Sequence, residues 1–139
     1  SFVSLTQLAE HVAAMRDITD VPLIVDADTG FGNAVNAGYA VRVLERSGAS
    51  CIQIEDQVFP KRCGHFDGKE VVGADEFVTK IRAAVDVRND SDFVVIARTD
   101  AKSMHGLEAA AERAAEAAMH AAEQTYAEWL EKHESEIPF

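Results

Sequence analysis

Three carboxylates follow two apolar runs, in positions where they could hold a metal ion. Asp26 and Asp28 come after the apolar residues 23–25, and Glu55 comes directly after residues 52–54. Two positions apart on a strand, Asp26 and Asp28 would point to the same face. Carboxylate oxygens suit Mg²⁺, whereas Zn²⁺ would need more His and Cys than this region offers. We therefore predict a Mg²⁺ site, with Mn²⁺ as the second candidate, at these three residues; the alternative is a strand-end cap and an exposed loop charge.

A cysteine in a cationic loop is the second candidate for chemistry. Cys63 stands in the run Lys-Arg-Cys-Gly-His at residues 61–65. Positive neighbours lower the pKa of a thiol and favour the reactive thiolate, and His65 could donate a hydrogen bond to a substrate. Cys51 lies in an apolar run, where an inert buried thiol is expected. We predict that Cys63 is catalytic; the alternative is that it is also an inert small residue.

An arginine follows a third apolar run. Arg98 comes directly after residues 93–97 and would share a strand face with Asp100. An arginine at the mouth of a parallel sheet is suited to a bidentate contact with a carboxylate. We predict that Arg98 binds a substrate carboxylate; the alternative is an internal ion pair with Asp100 or Glu55.

Composition excludes several classes of function. The chain has 139 residues, 47% of them hydrophobic, and a formal net charge of −11. This size fits one domain, and the negative charge disfavours nucleic acid as a partner. We find no apolar run near the length of about 18 residues that a membrane span needs, and no signal peptide. We therefore expect no membrane partner and a cytoplasmic location, or a mitochondrial one in a eukaryote. Ser1 in place of an initiator Met suggests an excerpt or a processed chain.

Hydrophobic spacing predicts four helices alternating with three strands. The expected helices cover residues 5–17, 34–46, 76–87 and 107–136, and the expected strands, buried on both faces, cover 21–25, 51–54 and 93–97. Such alternation predicts an α/β fold of right-handed, parallel βα units, with ligands at the carboxyl ends of the strands. We expect two parts: residues 1–106 as the catalytic segment, and 107–139 as a long acidic, alanine-rich helix and tail.

The motifs resemble those of the isocitrate lyase and phosphoenolpyruvate mutase superfamily. The run at 61–65 is similar to the lyase branch, since the mutase branch lacks this cysteine. The short segment between His65 and Gly73 is more similar to methylisocitrate lyase and its dimethylmalate lyase relatives than to isocitrate lyase. The resemblance covers about residues 2 to 110. The motifs are Asp-Ala-Asp-Thr-Gly-Phe-Gly-Asn at 26–33, Ile-Glu-Asp-Gln at 54–57, Lys-Arg-Cys-Gly-His at 61–65 and Ala-Arg-Thr-Asp-Ala at 97–101.

The resemblance implies part of a (β/α)8 TIM barrel that uses Mg²⁺. It implies cleavage of a 2-hydroxy tricarboxylate to succinate and a 2-oxo acid, either pyruvate or glyoxylate, in a homo-oligomer. It also implies a role for each site residue: Asp26, Asp28 and Glu55 hold the metal directly or through water, Cys63 exchanges the proton on the succinate fragment, and His65, the Gly64 amide and Arg98 bind substrate oxygens.

The sequence departs from the family pattern outside these motifs. The family's first two and last three strands have no counterpart, and the long helix replaces the strand expected after Ala110. Three strands cannot close an eight-stranded barrel. One alternative is therefore a truncated, non-catalytic remnant that self-associates through its open sheet and a stripe of large apolar residues on the last helix. Another is an enzyme like phosphoenolpyruvate mutase or oxaloacetate decarboxylase, which Cys63 disfavours.

Overall fold

Helices and strands alternate along the chain as predicted. The computed structural model describes residues 3–61 and 68–133, with side chains described up to residue 119. The helices are α1 (Leu5–Arg16), α2 (Ala34–Arg46), α3 (Ala74–Asp86) and α4 (Lys102–His133), and the strands are β1 (Ile24–Asp26), β2 (Cys51–Glu55) and β3 (Val94–Arg98). The element types and their order are confirmed. Within the described residues, none of the helices has the length and apolar character needed to cross a membrane.

Side-chain caps and glycines set the ends of the helices. Ser4 forms a capping box with Gln7 at the start of α1, and Asn33 caps α2 by accepting from the backbone of its first turn. After α2, Gly48 has a φ of 97°, and a Cβ there would lie 2.6 Å from Cγ of Arg16. Arg16 also donates two hydrogen bonds to the Gly48 carbonyl, at 2.9 and 2.8 Å. A glycine is therefore required where α2 ends and α1 docks.

The starts of two elements differ from the prediction: β1 begins at Ile24 rather than at residue 21, and α3 at Ala74 rather than at 76. The long helix begins at 107 as predicted, after an additional helical turn at residues 102–105 that is counted with it in α4. The first turn of α4 precedes Gly106, whose φ of 87° interrupts the helical conformation. A glycine tolerates this conformation, so two helical segments meet at a kink there.

The three strands form a parallel sheet in the order β1-β2-β3. Ile24 of β1 pairs with Cys51 of β2, which pairs with Val94 of β3. The next residue along each strand, Val25 on β1 and Ile52 on β2, points to the opposite face, because side chains alternate along a strand. That opposite face packs against the helices and forms the core, which includes Val25, Ile52, Ile54, Leu44, Phe77 and Ile81.

The other face of the sheet is open at both edge strands. Ile24 is 69% exposed, Val94 is 52% exposed and Ile96 is 36% exposed. The prediction that every strand is buried on both faces is therefore wrong for β1 and β3, and correct for most of the central strand β2. The apolar sequence of the edge strands fits a sheet that is covered on both sides, and none of the described residues covers this face at the edges.

A buried ion pair joins α4 to the ends of β2 and β3. Asp56 is fully buried, and its carboxylate lies 3.0 Å from Nε of Arg113 on α4. The same carboxylate accepts hydrogen bonds from the Thr99 hydroxyl at 2.6 Å and from the Asp100 backbone at 2.9 Å. Arg113 also donates to the Val72 carbonyl. One carboxylate thus connects two strand ends and a helix.

We expect Arg113→Met to destabilise the chain, because it leaves the Asp56 carboxylate buried without its cation. The expected loss is about 3 kcal/mol in the free energy of unfolding. Urea denaturation followed by circular dichroism measures it. The matched control is Arg82→Met, since Arg82 is exposed on α3. Equal midpoints for the two variants would contradict this role for the ion pair.

Candidate active site

A tight turn after β1 brings Asp28 beside Asp26. The Asp26 carboxylate accepts a hydrogen bond from the Asp28 backbone at 2.9 Å, and Asp28 itself has a φ of 59°. Aspartate is among the few residues that visit this left-handed conformation readily. Our prediction that strand alternation aligns the two carboxylates is wrong, because Asp28 lies beyond the end of β1. The turn brings the carboxylates together instead.

The turn continues through a strained segment that leads into α2. Phe31 has a φ of 61°, which is uncommon for a bulky residue, and Gly30 has a φ of 84°. A Cβ on Gly30 would lie 3.0 Å from Cβ of Ala37. Gly30 therefore permits both the turn and the close approach of α2 to the carboxylates.

The three predicted metal ligands converge on the ammonium group of Lys61. Its Nζ lies 3.1 Å from Asp28 Oδ1, 3.5 Å from Glu55 Oε1 and 3.8 Å from Asp26 Oδ2. The Glu55 side chain is only 1% exposed, whereas that of Asp26 is 56% exposed. A cavity of about 250 Å³ opens beside this cluster, and Phe31 is part of its lining. The structure thus brings the three carboxylates together at the carboxyl ends of β1 and β2.

The charges in this cluster do not balance locally. Burial raises the pKa of Glu55, and the nearby charges of Lys61 and Arg98 only partly oppose that effect. Burial would lower the pKa of Lys61, but its hydrogen bond to Asp28 and the charges of Glu55 and Asp26 raise it overall. The carboxylates therefore favour the charged form of Lys61, while burial still disfavours the charged form of Glu55.

Arg98 forms the internal ion pairs that were the alternative to substrate binding. Its guanidinium lies 3.2 Å from Asp100 Oδ1 and 3.6 Å from Glu55 Oε2. Asp100 also accepts a hydrogen bond from the Gln57 amide at 2.6 Å. The Arg98 side chain remains 40% exposed, so part of its hydrogen-bonding edge is accessible. An internal ion pair and a contact with a ligand are therefore compatible at this residue.

The loop that carries the predicted thiol cannot be compared with the structure. Cys63, Gly64 and His65 lie outside the described residues, so their predicted roles stay predictions. Cys51, the other cysteine, is buried, and burial raises the pKa of its thiol. That agrees with the prediction that Cys51 is the unreactive cysteine.

Sequence reasoning missed two residues of the site. It treated Lys61 as a neighbour of the thiol, whereas the structure places its ammonium among the carboxylates. It also assigned no role to Asp56, whose carboxylate binds Arg113 and the backbone of Asp100. A single arginine within an alanine-rich helical stretch was the available signal, because such a residue often has a buried partner.

The donor set fits a hard cation that keeps part of its water shell. Within the described residues, no group of three His, Cys, Asp or Glu side chains is arranged as a direct metal-ligand set. Mg²⁺ commonly binds through one or two carboxylates and several waters. Asp26, Asp28 and Glu55 are therefore suited to hold it at least partly through water.

We expect the Gln57→Leu variant to raise the pKa of Asp100. Burial favours the neutral acid, but the hydrogen bond from Gln57 and the charge of Arg98 outweigh burial and lower the pKa. Asp100 thus adds stability above its ordinary pKa, and this stability is lost as the pH falls through its lowered folded-state pKa. Without the hydrogen bond, the folded-state pKa lies closer to the ordinary value, so this contribution is smaller and its loss is complete at a higher pH.

Carbon-13 NMR of the Asp100 carboxyl as a function of pH measures this change. Gln53→Leu is the matched control, because Gln53 lies on β2 without a hydrogen bond to Asp100 in the structure. Identical titration midpoints in the wild type and Gln57→Leu would contradict the role assigned to Gln57.

Known proteins match the chain both in sequence and in fold. The family model described as phosphoenolpyruvate phosphomutase matches residues 1–137. The 2,3-dimethylmalate lyase of Eubacterium barkeri is 49% identical over 111 residues, which are 80% of this chain and 38% of that protein. The 2-methylisocitrate lyase of Aeropyrum pernix is 50% identical over 112 residues, which are 81% of this chain and 36% of that protein. The chain spans about two-fifths of the length of these relatives.

Solved structures confirm the predicted fold class, parallel βα units from an incomplete (β/α)8 barrel. The structure of 2,3-dimethylmalate lyase matches with a TM-score of 0.80 and 39% identity, over 86% of this chain and 40% of that one. A phosphonopyruvate hydrolase in complex with oxalate and Mg²⁺ matches with a TM-score of 0.77 and 40% identity, over 86% of this chain and 41% of that one. The chain belongs to the phosphoenolpyruvate phosphomutase family, within the superfamily that includes the isocitrate lyases.

Proposed function

We propose that the chain carries the metal-binding part of a Mg²⁺-dependent carbon–carbon lyase of the methylisocitrate type. The observation that carries this proposal is the convergence of Asp26, Asp28 and Glu55 on one cation position. The similarity to 2-methylisocitrate and 2,3-dimethylmalate lyases supports lyase chemistry over other reactions of the family. Because the chain spans about two-fifths of these relatives, the activity is proposed for the enzyme with its whole barrel.

The described residues supply binding and orientation. A bound Mg²⁺ would act as a Lewis acid on the substrate hydroxyl and carboxylate, and Asp26, Asp28 and Glu55 would hold it. Arg98 would bind a substrate carboxylate through its exposed edge. Its planar guanidinium is already oriented by Asp100, so little conformational freedom is lost when the substrate binds.

The proposed reaction is a retro-aldol cleavage of a 2-hydroxy tricarboxylate. The hydroxyl releases its proton to water and becomes the oxo group as the neighbouring carbon–carbon bond breaks. The electron pair of that bond stays on the carbon that becomes part of succinate. Cys63 would donate the proton that this carbon takes up, and His65 and the Gly64 amide would bind substrate oxygens. These three roles rest on the sequence and on the family resemblance.

A second candidate reaction is phosphonopyruvate or oxaloacetate chemistry. The family model is named for a phosphomutase, and solved relatives include a phosphonopyruvate hydrolase and an oxaloacetate acetylhydrolase. The same three carboxylates would serve these reactions, since all of them act on small oxo acids. Cys63 favours the lyase over the mutase, because the resemblance places this cysteine in the lyase branch and the lyase reaction needs a proton donor for the succinate carbon.

We expect Mg²⁺ or Mn²⁺ to bind the chain and Asp28→Asn to weaken that binding about tenfold or more. Asparagine keeps the shape of the side chain and tolerates the positive φ at this position, so the variant removes mainly the charge. Isothermal titration calorimetry with Mn²⁺ measures the affinity. Asp92→Asn is the control, because Asp92 is exposed and precedes β3 at the opposite end of the sheet. Equal affinities for both variants would remove Asp28 from the metal site.

We expect Cys63 to react with an alkylating reagent faster than Cys51 at neutral pH. Arg62, which precedes Cys63 in the sequence, favours its thiolate, whereas burial raises the pKa of the Cys51 thiol. Peptide mass spectrometry after timed alkylation compares the two rates. In the complete enzyme, Cys63→Ser should nearly abolish cleavage of the hydroxy acid and leave Mn²⁺ binding unchanged. Equal labelling of the two cysteines would contradict the catalytic role, and turnover of phosphonopyruvate in place of the hydroxy acid would favour the second candidate.

A further inference from the structure

Lys61 occupies the position that a metal ion would be expected to take. Its Nζ contacts all three predicted ligands within 3.1 to 3.8 Å, and two of these contacts are to largely buried carboxylates, Asp28 and Glu55. The side chain is only 26% exposed, so the ammonium has given up much of its hydration for these contacts. We propose that Lys61 is an internal counter-ion which a divalent metal ion has to displace, so that Lys61 sets the metal affinity of the site. This inference rests on the proposed metal-binding function.

Space and charge make the two cations mutually exclusive. An ammonium group and a hydrated Mg²⁺ cannot both lie among the same three carboxylates, because they would overlap and repel each other. The repulsion is strong at this site, because Glu55 is buried and charges in a buried environment are screened less than in water. Binding of a divalent ion therefore requires the Lys61 ammonium to leave the cluster.

The chemistry of lysine makes this displacement possible. Lysine carries a single point charge on a flexible stem of four carbons, and its three donors do not require one fixed geometry. It can therefore swing away from the carboxylates while the backbone stays in place. An arginine fork on the same carboxylates would be held by paired, directional hydrogen bonds and would leave less readily.

The displacement also explains how the site tolerates its own charge. Three clustered carboxylates repel one another, and Glu55 is too buried for water to compensate it. With Lys61 among them, the chain can fold before any metal is bound. A metal ion that binds gains the attraction of three carboxylates. Its net binding free energy is reduced by the attraction between Lys61 and the carboxylates, which has to be broken first. Lys61 thus stabilises the chain without metal and lowers its apparent affinity for metal.

Removing the charge of Lys61 should raise the affinity of the site for a metal ion and lower the stability of the chain without metal. We expect Lys61→Met to bind Mn²⁺ about tenfold more tightly than the wild type, by calorimetry on the 139-residue chain. Its melting temperature in a chelator should be lower than that of the wild type, and its rise on adding Mg²⁺ should be larger. Lys61→Gln, which keeps a hydrogen-bond donor at the site, should show the same tighter binding even if Lys61→Met folds poorly.

Lys102→Met is the matched control, because it removes an exposed positive charge just beyond β3, at the same end of the sheet. Its affinity should stay within about twofold of the wild type, since a screened surface charge acts weakly. Equal tightening in Lys102→Met and Lys61→Met, or unchanged or weaker binding in both Lys61 variants, would overturn the proposal. If Asp28→Asn loses binding while the Lys61 variants match the wild type, the metal site stands and the displacement does not. If neither the wild type nor the Lys61 variants bind Mn²⁺, both proposals fail.

Discussion

The need to pair two consecutive buried carboxylates shapes this end of the sheet. Glu55 and Asp56 are adjacent at the end of the central strand, and both are almost fully buried. Side chains of adjacent residues at a strand end point in opposite directions, so each carboxylate needs its own cation. Asp56 forms an ion pair with Arg113 on α4, and Glu55 forms ion pairs with Lys61 and Arg98. The first pair connects the strand ends to α4, whereas Lys61, beside Glu55, lines a cavity and is the cation that we propose a metal ion displaces.

The two faces of the sheet have correspondingly different roles. One packs on the helices and forms the core, and the other carries Glu55, Arg98 and the exposed apolar residues of β1 and β3. In a closed barrel this second face points inward and is filled by side chains from the other strands. The chain spans about two-fifths of the length of its relatives. Within the described residues, this face stays exposed at Ile24, Val94 and Ile96.

The sequence predicted the parts of this structure that depend on local patterns. The spacing of apolar residues predicts the starts of α1 and α2, the order of the elements and the position of Glu55 at a strand end. It failed where a single backbone turn or a long side chain decides the geometry. The positive φ of Asp28 replaces the strand alternation we expected, and no periodicity encodes that the flexible side chain of Lys61 reaches back to β1. The partner of Arg113 was equally hidden, because Asp56 is 57 residues away in the chain.

A chain of contacts runs from the scaffold to the residue proposed to bind substrate. Arg113 holds Asp56, Asp56 holds the backbone of Asp100, and the side chain of Asp100 orients Arg98. Each of these contacts is short and at least partly buried, so the orientation of Arg98 is set by residues that are fixed in the core. Within the described residues, the ion pairs of the Lys61 ammonium are with the three carboxylates that a metal ion would bind. The site therefore combines an anchored cation that would orient a substrate with a flexible one that can leave, and this difference follows from arginine being held by directional pairs and lysine by a point charge.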